Sequence, residues 1–226
     1  MLWQRWASEW RLKLALGGLL TAAFWVFYAW TGRRPAAHVV VVPALAIDRA
    51  LPLVPAAAWI YVSQFLTTPI VLYLAASRRA VLGVAGGVSL MASVSFLVYF
   101  LVPTCVEREV ASGVTNAAYR LVIGGDVPRN ACPSLHAGFA VFLSACAWAL
   151  SGGLAHRWAG LVIFWLWTLA VLVSTIVIRQ HVVIDLAAGG LLGAVCFCVI
   201  YRSLGGAEAI EEKPVTTKLG AHGVAS

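Results

Sequence analysis

The amino-acid sequence predicts an all-α integral membrane protein with six transmembrane helices. Of its 226 residues, 62% are hydrophobic and only 11% are charged, whereas a soluble domain usually carries about 25% charged residues. A transmembrane helix needs about 20 predominantly apolar residues, and six stretches of the chain approach that length. These stretches are residues 14–30, 55–76, 80–102, 133–154, 158–178 and 181–201. The net charge of +7 comes from scattered basic residues rather than a basic stripe, so we expect no nucleic-acid partner.

The first two stretches and the segment between them carry distinct signals. Residues 14–30 are uncharged and lack a clear small-residue cleavage site, which favours an uncleaved anchor over a signal peptide. In the second stretch, Pro55 marks the entry and Pro69 predicts a kink, because a proline inside a helix removes a hydrogen bond. Residues 38–47 are apolar but too short to cross, and Pro43 interrupts them, which predicts an interfacial or re-entrant segment.

The later stretches complete one membrane domain, residues 1–203. A longer polar loop separates the third from the fourth stretch, and a short link with Arg157 separates the fourth from the fifth. The sixth contains Asp185 as its only acidic residue. Residues 204–226 are polar and rich in glycine, which predicts a flexible cytoplasmic tail.

Basic residues beside the spans bear on orientation, because cytoplasmic loops are enriched in Lys and Arg. With six spans, one side holds Arg5, Arg11, Lys13, Arg78, Arg79, Arg157 and Arg202. The other side holds Arg33, Arg34, Arg49, Arg108, Arg120, Arg129 and Arg179. The excess of basic residues on the first side is weak unless Arg108, Arg120, Arg129 and Arg179 are set aside as substrate-binding residues. On that interpretation we expect a multi-pass protein of the cell (inner) membrane with both termini in the cytoplasm.

Two polar clusters interrupt the apolar sequence. Pro133-Ser134-Leu135-His136 opens the fourth span, and Arg179 to Asp185 opens the sixth. Histidine and aspartate are unfavourable next to lipid and mark functional sites by default. Because two crossings separate the clusters, both lie on the same face, together with the loop 102–132. The sequence therefore predicts an active site at the extracytoplasmic, or periplasmic, N-terminal ends of helices four and six.

The residue types in these clusters suit phosphoryl transfer. His181 and Asp185 are four apart, so they share a helix face with a rise of about 6 Å. A carboxylate that accepts one ring N–H fixes the tautomer and makes the other nitrogen a better nucleophile. His136, in the first turn of its span, could protonate a leaving oxygen. Helix N-termini and arginines both bind phosphate oxygens.

Each residue also has a simpler structural explanation. His136 could be a hydrogen-bond partner between helices, and Asp185 could pair with Arg179. Ser134 could be only a helix N-cap. Arg179 could be an interfacial anchor that extends to the membrane surface. The convergence of all four on one face favours a common site.

The two clusters resemble the second and third motifs of the type 2 phosphatidic acid phosphatase superfamily. Pro133-Ser134-Leu135-His136 resembles its P-S-G-H, and His181 with Asp185 resembles its H-x-x-x-D. Residues 99–108, from Tyr99 to Arg108, are similar to the Y-x-x-x-P-T-x-x-P-R of the branch that contains inositol phosphorylceramide synthases. Two departures are plain. Ser174 and Thr175 stand where the third motif normally begins S-R, and Glu107 replaces a proline.

The resemblance implies a two-step mechanism without metal or cofactor. His181 attacks phosphorus and forms a phosphohistidine, Asp185 orients it, and His136 protonates the leaving group. Ser134 belongs to the same motif and is a further phosphate contact. The resemblance suggests that arginines neutralise the phosphoryl oxygens, with Arg108 and Arg179 before Arg120 and Arg129.

The reaction that the resemblance implies has two versions. The first is a lipid phosphate or pyrophosphate phosphatase; the second is a phosphotransferase that moves a head group onto an acceptor such as ceramide or diacylglycerol. The substrate would be a phospholipid or an isoprenoid or sphingolipid phosphate. A small transporter or proton relay and a metal-dependent enzyme remain as alternatives, since two histidines and a carboxylate can bind a transition metal. The sequence leaves open the lipid, the oligomeric state and a disulfide between Cys105 and Cys132.

Overall fold

A computed structural model of the protein describes residues 2–110, 113–125, 129–152 and 154–203. The predicted tail, 204–226, lies outside the described residues. The elements in chain order are α1 (Leu2–Ala7), α2 (Trp10–Arg33), β1 (Val40–Val41), α3 (Ala46–Ala50), α4 (Ala58–Ser63), α5 (Thr67–Leu74), α6 (Arg78–Leu101), β2 (Thr104–Cys105), α7 (Ala117–Gly125), α8 (Leu135–Leu150), α9 (Arg157–Val177) and α10 (Val183–Ser203). Helices thus dominate the described part, as the composition predicts.

Five helical segments in the described part are long and apolar enough to cross a membrane. They are Trp10–Arg33, Pro55–Leu74, Arg78–Leu101, Arg157–Val177 and Val183–Ser203. The predicted fourth span corresponds to α8, which is apolar but only 16 residues long. At 1.5 Å per residue it extends about 24 Å, short of a hydrocarbon core of about 30 Å. The structure therefore supports a helical membrane protein with five candidate spans and one shorter apolar helix.

The segment Pro55–Leu74 is not a uniform α-helix. Short 3₁₀ turns at Pro55–Ala57 and Gln64–Leu66 flank α4, and α5 follows the second turn. A proline inside a helix removes the hydrogen bond to the carbonyl four residues earlier. For Pro69 that carbonyl belongs to Phe65, in the second 3₁₀ turn, so the irregularity lies just before the proline.

Extended segments gather at one end of the helices. Strand β1 pairs in parallel with β2, with Val40 opposite Thr104. Thr104 also bridges to Asn130, and the Ala131 N–H donates to the Thr104 carbonyl at 3.1 Å. These pairings connect residues 40–42, 103–105 and 130–132, and place the segment 99–108 beside the start of α8.

Helices α8 and α10 pack closely through glycines. A Cβ on Gly189 would lie 2.0 Å from the Ser134 carbonyl oxygen, and one on Gly193 would lie 2.4 Å from that of Gly138. Small residues let helix backbones approach closely in membranes. The Ser134 N–H also donates to the Asp185 carbonyl at 2.9 Å. The starts of α8 and α10 therefore lie side by side, and they bring the two polar clusters together.

The N-terminal segment lies at the opposite end of α8. The guanidinium of Arg5 donates to the carbonyls of Leu150 at 2.5 Å and Gly152 at 2.9 Å. The last carbonyls of a helix have no intrahelical partner, so a cation is stabilising there. Arg5 and the His136 cluster therefore lie at opposite ends of the same helix.

Candidate active site

His181 and Asp185 form a buried pair at the start of α10. The His181 Nδ1 lies 2.9 Å from the Asp185 Oδ2, and the Val182 N–H donates to the other carboxylate oxygen at 2.8 Å. The Asp185 side chain is fully buried, and His181 is 8% exposed. A carboxylate can only accept, so the His181 Nδ1 is the donor and its Nε2 carries the lone pair. The helix begins at Val183, so His181 precedes its first turn.

A tight turn between α9 and α10 holds His181 in place. Arg179 adopts a left-handed backbone conformation with φ of 60°, which is uncommon for residues other than glycine. The Gln180 and His181 N–H groups both donate to the Thr175 carbonyl, at 2.9 and 3.2 Å. Thr175, which replaces the arginine of the usual motif, thus contributes a backbone acceptor to the turn.

The Arg179 side chain connects this turn to α3. Its Nη1 donates to the Asp48 carbonyl at 2.7 Å, and its Nη2 donates to the Leu51 carbonyl at 2.9 Å. Its Nε lies 3.7 Å from the carboxylate of Glu109, whose side chain is 70% exposed. Arg179 therefore pairs with Glu109 and with backbone carbonyls, whereas Asp185 pairs with His181.

The Asp48 side chain connects α3 back to the start of α10. Sequence reasoning did not single out this residue. Its side chain is 3% exposed. One carboxylate oxygen accepts from the Leu45 N–H at 2.7 Å, and the other accepts from the Val183 N–H at 3.0 Å. A buried carboxylate needs such partners, and negative charge stabilises a helix N-terminus. Its one sequence signal was an acidic residue in a largely apolar segment between the first two spans.

The second cluster places His136 beside His181. Ser134 is the N-cap of α8, since its Oγ accepts from the Ala137 N–H at 3.3 Å. That capping role is confirmed. His136 lies in the first turn of α8, and its ring centroid is 5.5 Å from that of His181. The structure thus brings His136, His181, Asp185 and Ser134 into one site.

Two residues of the second span also contact His136, and sequence reasoning missed both. The Tyr61 ring centroid lies 4.3 Å from that of His136, and its hydroxyl oxygen lies 3.5 Å from the His136 Nδ1. The Gln64 Nε2 donates to the His136 carbonyl at 2.6 Å. Tyr61 and Gln64 are polar residues three apart in an apolar stretch, which was a signal for one polar helix face.

The segment from Tyr99 to Arg108 supports the start of α8. The Tyr99 hydroxyl donates to the Pro133 carbonyl at 2.5 Å. The Thr104 Oγ1 accepts from the Cys132 N–H at 2.8 Å. These contacts link the first motif to the second through backbone groups.

The remaining arginines lie at different places. Arg108 is half-buried after β2, and Arg120 is exposed on α7. The Arg129 Nη1 donates to the Arg34 carbonyl at 2.6 Å, beyond the end of α2. Of the four arginines that the sequence singled out, Arg179 is the one within two residues of His181.

The sequence left open a disulfide between Cys105 and Cys132 and a metal site, and the structure bears on both. Cys105 and Cys132 are both free thiols. Burial, with a smaller contribution from the negative charge of Asp185, raises the pKa of the Cys132 thiol. Across the described ranges, no three His, Cys, Asp or Glu side chains form a group that could hold a metal ion.

Comparison with known proteins identifies the family. The family model of the PAP2 superfamily matches residues 81–208, which include His136, His181 and Asp185. Neither the curated proteins nor the solved structures give a match to the chain. Members of the superfamily are phosphatases or phosphotransferases. The matched region covers more than half of the 226 residues, and the chain belongs to the PAP2 superfamily.

Proposed function

We propose that this protein is a membrane phosphatase that removes phosphate from a lipid phosphate or pyrophosphate through a phosphohistidine on His181. The observation that carries the proposal is the pairing of two histidines at one site. The His181 Nδ1 is held 2.9 Å from a fully buried Asp185 carboxylate, and the His181 ring faces His136 at 5.5 Å. Family membership supports phosphoryl chemistry.

The geometry supports a two-step reaction. In the first step, the His181 Nε2 lone pair forms a bond to phosphorus, the bond from phosphorus to the lipid oxygen breaks, and His136 gives its Nε2 proton to that oxygen. Asp185 stabilises the positive charge that develops on His181. In the second step, water attacks the phosphohistidine, His136 takes a proton from it, and phosphate and free His181 are released.

Several groups are suited to hold the phosphoryl oxygens. The N-terminus of α10 presents the positive end of the helix dipole, while its Val182 and Val183 N–H groups donate to Asp185 and Asp48. Arginine has five N–H donors, and Arg179 uses one on each terminal nitrogen for carbonyls. A phosphate would compete with the exposed Glu109 for the remaining N–H donors of Arg179. Arg108, Ser134, Arg120 and Arg129 are the further candidates.

We also propose six crossings, with α8 as the short fourth span and the site on the extracytoplasmic side. The location of Arg5 at the far end of α8 from His136 supports cytoplasmic termini, because basic flanks favour the cytoplasm. The site would then open towards the outer leaflet.

Phosphate release from purified protein in detergent tests the proposal. A panel of phosphatidic acid, isoprenoid phosphates and sphingolipid phosphates should show turnover that His181→Ala abolishes. The matched control is His156→Ala, because His156 precedes α9 at the far end of the fold. Turnover by His181→Ala at the wild-type rate would remove the basis of the assignment.

A phosphotransferase is the second candidate, supported by the likeness of Tyr99 to Arg108 to the branch that transfers head groups. In that reaction an alcohol replaces water in the second step. The assay should therefore add a phosphodiester donor that carries a head group, such as phosphatidylinositol, with diacylglycerol or ceramide as the acceptor, and should score transferred head group separately from free phosphate. Product that depends on acceptor would favour transfer over hydrolysis.

A further inference from the structure

The second span presents two polar side chains to His136. Tyr61 and Gln64 are both buried, at 5% and 6% exposure. Tyr61 contacts the imidazole ring, and Gln64 donates to the backbone carbonyl of the same residue. Ring and backbone of His136 are thus held from one face of one helical segment.

We propose that Tyr61 is a positioning residue that makes the Nε2 of His136 the atom that gives and takes the proton. This inference rests on the proposed function. The Tyr61 hydroxyl oxygen lies 3.5 Å from the His136 Nδ1, and a phenol oxygen can accept a hydrogen bond. The negative charge of a bound phosphate favours the imidazolium form of His136, which carries a proton on both ring nitrogens. In that form an Nδ1–H that donates to Tyr61 stays in place through both steps. Only the Nε2 proton then passes to the leaving oxygen and returns from water.

The two histidines therefore have different partners suited to different tasks. The His181 Nδ1 faces a carboxylate, whose negative charge stabilises the positive charge that forms during attack on phosphorus. The His136 Nδ1 faces a neutral phenol, which orients the ring without binding the proton as strongly. Within the described ranges, the charged or titratable groups that face His136 are His181, from the turn before α10, and Tyr61, from α4.

Tyr61→Phe tests this role, because it removes the hydroxyl and keeps the ring. A leaving group that needs no proton should be insensitive to the change. We expect kcat/KM, which reports the steps up to formation of the phosphohistidine and not its hydrolysis, to fall at least tenfold for a lipid alkyl phosphate, within the contribution of about 10²- to 10⁴-fold from general acid–base catalysis. For an alkyl-substituted nitrophenyl phosphate, whose phenolate leaves unprotonated, we expect a fall of less than about threefold.

Two controls separate positioning from a structural effect. Tyr73→Phe, at an exposed tyrosine of the same span, should leave both rates unchanged. In a His136→Ala background, Tyr61→Phe should have no further effect on kcat, since residues that act through one another are not additive.

The outcomes are distinct from those that test the proposed function. An equal loss with both leaving groups, or a full effect of Tyr61→Phe in the His136→Ala background, would overturn the positioning role. So would an unchanged alkyl phosphate rate. Each of these results leaves the His181→Ala experiment intact, because that experiment tests the nucleophile and not its acid partner.

Discussion

Removal of the Asp48 carboxylate should weaken the join between α3 and α10 and displace His181. In the native protein its two oxygens accept from the Val183 N–H at 3.0 Å and the Leu45 N–H at 2.7 Å. A hydrogen bond to a charged group contributes about 1.5–3 kcal/mol, so the two together contribute about 3–6 kcal/mol. Asp48→Ala loses both, whereas Asp48→Asn keeps one acceptor oxygen and should lose about half.

The effect should appear in stability and in turnover. For a chain of this size, the lower figure of about 3 kcal/mol corresponds to a fall in Tm of roughly 6–12 °C, measurable by thermal unfolding in detergent. Val183 lies two residues after His181, and a displacement of about 1 Å at a reacting group can lower kcat about 10²-fold. We therefore expect kcat to fall in both variants, and to fall further in Asp48→Ala than in Asp48→Asn.

A matched acidic control sharpens the result. Glu109 is near the same Arg179, but its side chain is 70% exposed. Exposed ion pairs contribute about 0–1 kcal/mol, so Glu109→Ala should unfold close to the wild-type temperature. If Asp48→Ala keeps both the wild-type Tm and the wild-type kcat, the carboxylate does not hold the start of α10 and the reasoning is wrong.

Two further predictions concern the pairing of the polar clusters. Asp185→Asn leaves an amide that cannot accept from both the His181 Nδ1–H and the Val182 N–H as the carboxylate does. The resulting wrong tautomer of His181 should lower kcat about 10³- to 10⁴-fold. Thermal unfolding checks that the fold persists. Gly189→Ala places a methyl 2.0 Å from the Ser134 carbonyl and should lower the unfolding free energy by about 1–3 kcal/mol. Gly190→Ala is the control, because its methyl would meet Val141 at 3.6 Å and should leave the unfolding free energy unchanged. Equal unfolding temperatures for the two glycine variants would show that α8 and α10 do not pack as described.

Local patterns in the chain were sufficient for the class of protein and for the contact between His181 and Asp185. Long apolar runs predict membrane helices because a helix must match the thickness of the bilayer. The spacing of His181 and Asp185 predicted that they pair on one helix face; the pair forms, but His181 lies before the start of α10 at Val183 rather than within the helix. Gly189 and Gly193 lie four residues apart in the sixth span, a spacing typical of close helix packing, and both approach carbonyls of α8.

Other predictions depended on where a span begins and ends. The apolar run from 133 to 154 reads as a full span, yet α8 comprises only Leu135–Leu150. Hydropathy does not mark the cap at Ser134 or the end of the helix at Leu150. The geometry of the turn that follows α9, including the positive φ of Arg179, is likewise set by contacts to Thr175 rather than by residue type.

The sequence by itself determined that this is a helical membrane protein and singled out His136, His181 and Asp185 as candidates for phosphoryl transfer, because composition and short spacings are local properties. Only the tertiary structure decided which distant groups support that set. Tyr61 meets His136 from 75 residues away, and Asp48 meets Val183 from 135 residues away. No local pattern specifies such partners, since each pairing exists only once the helices have packed.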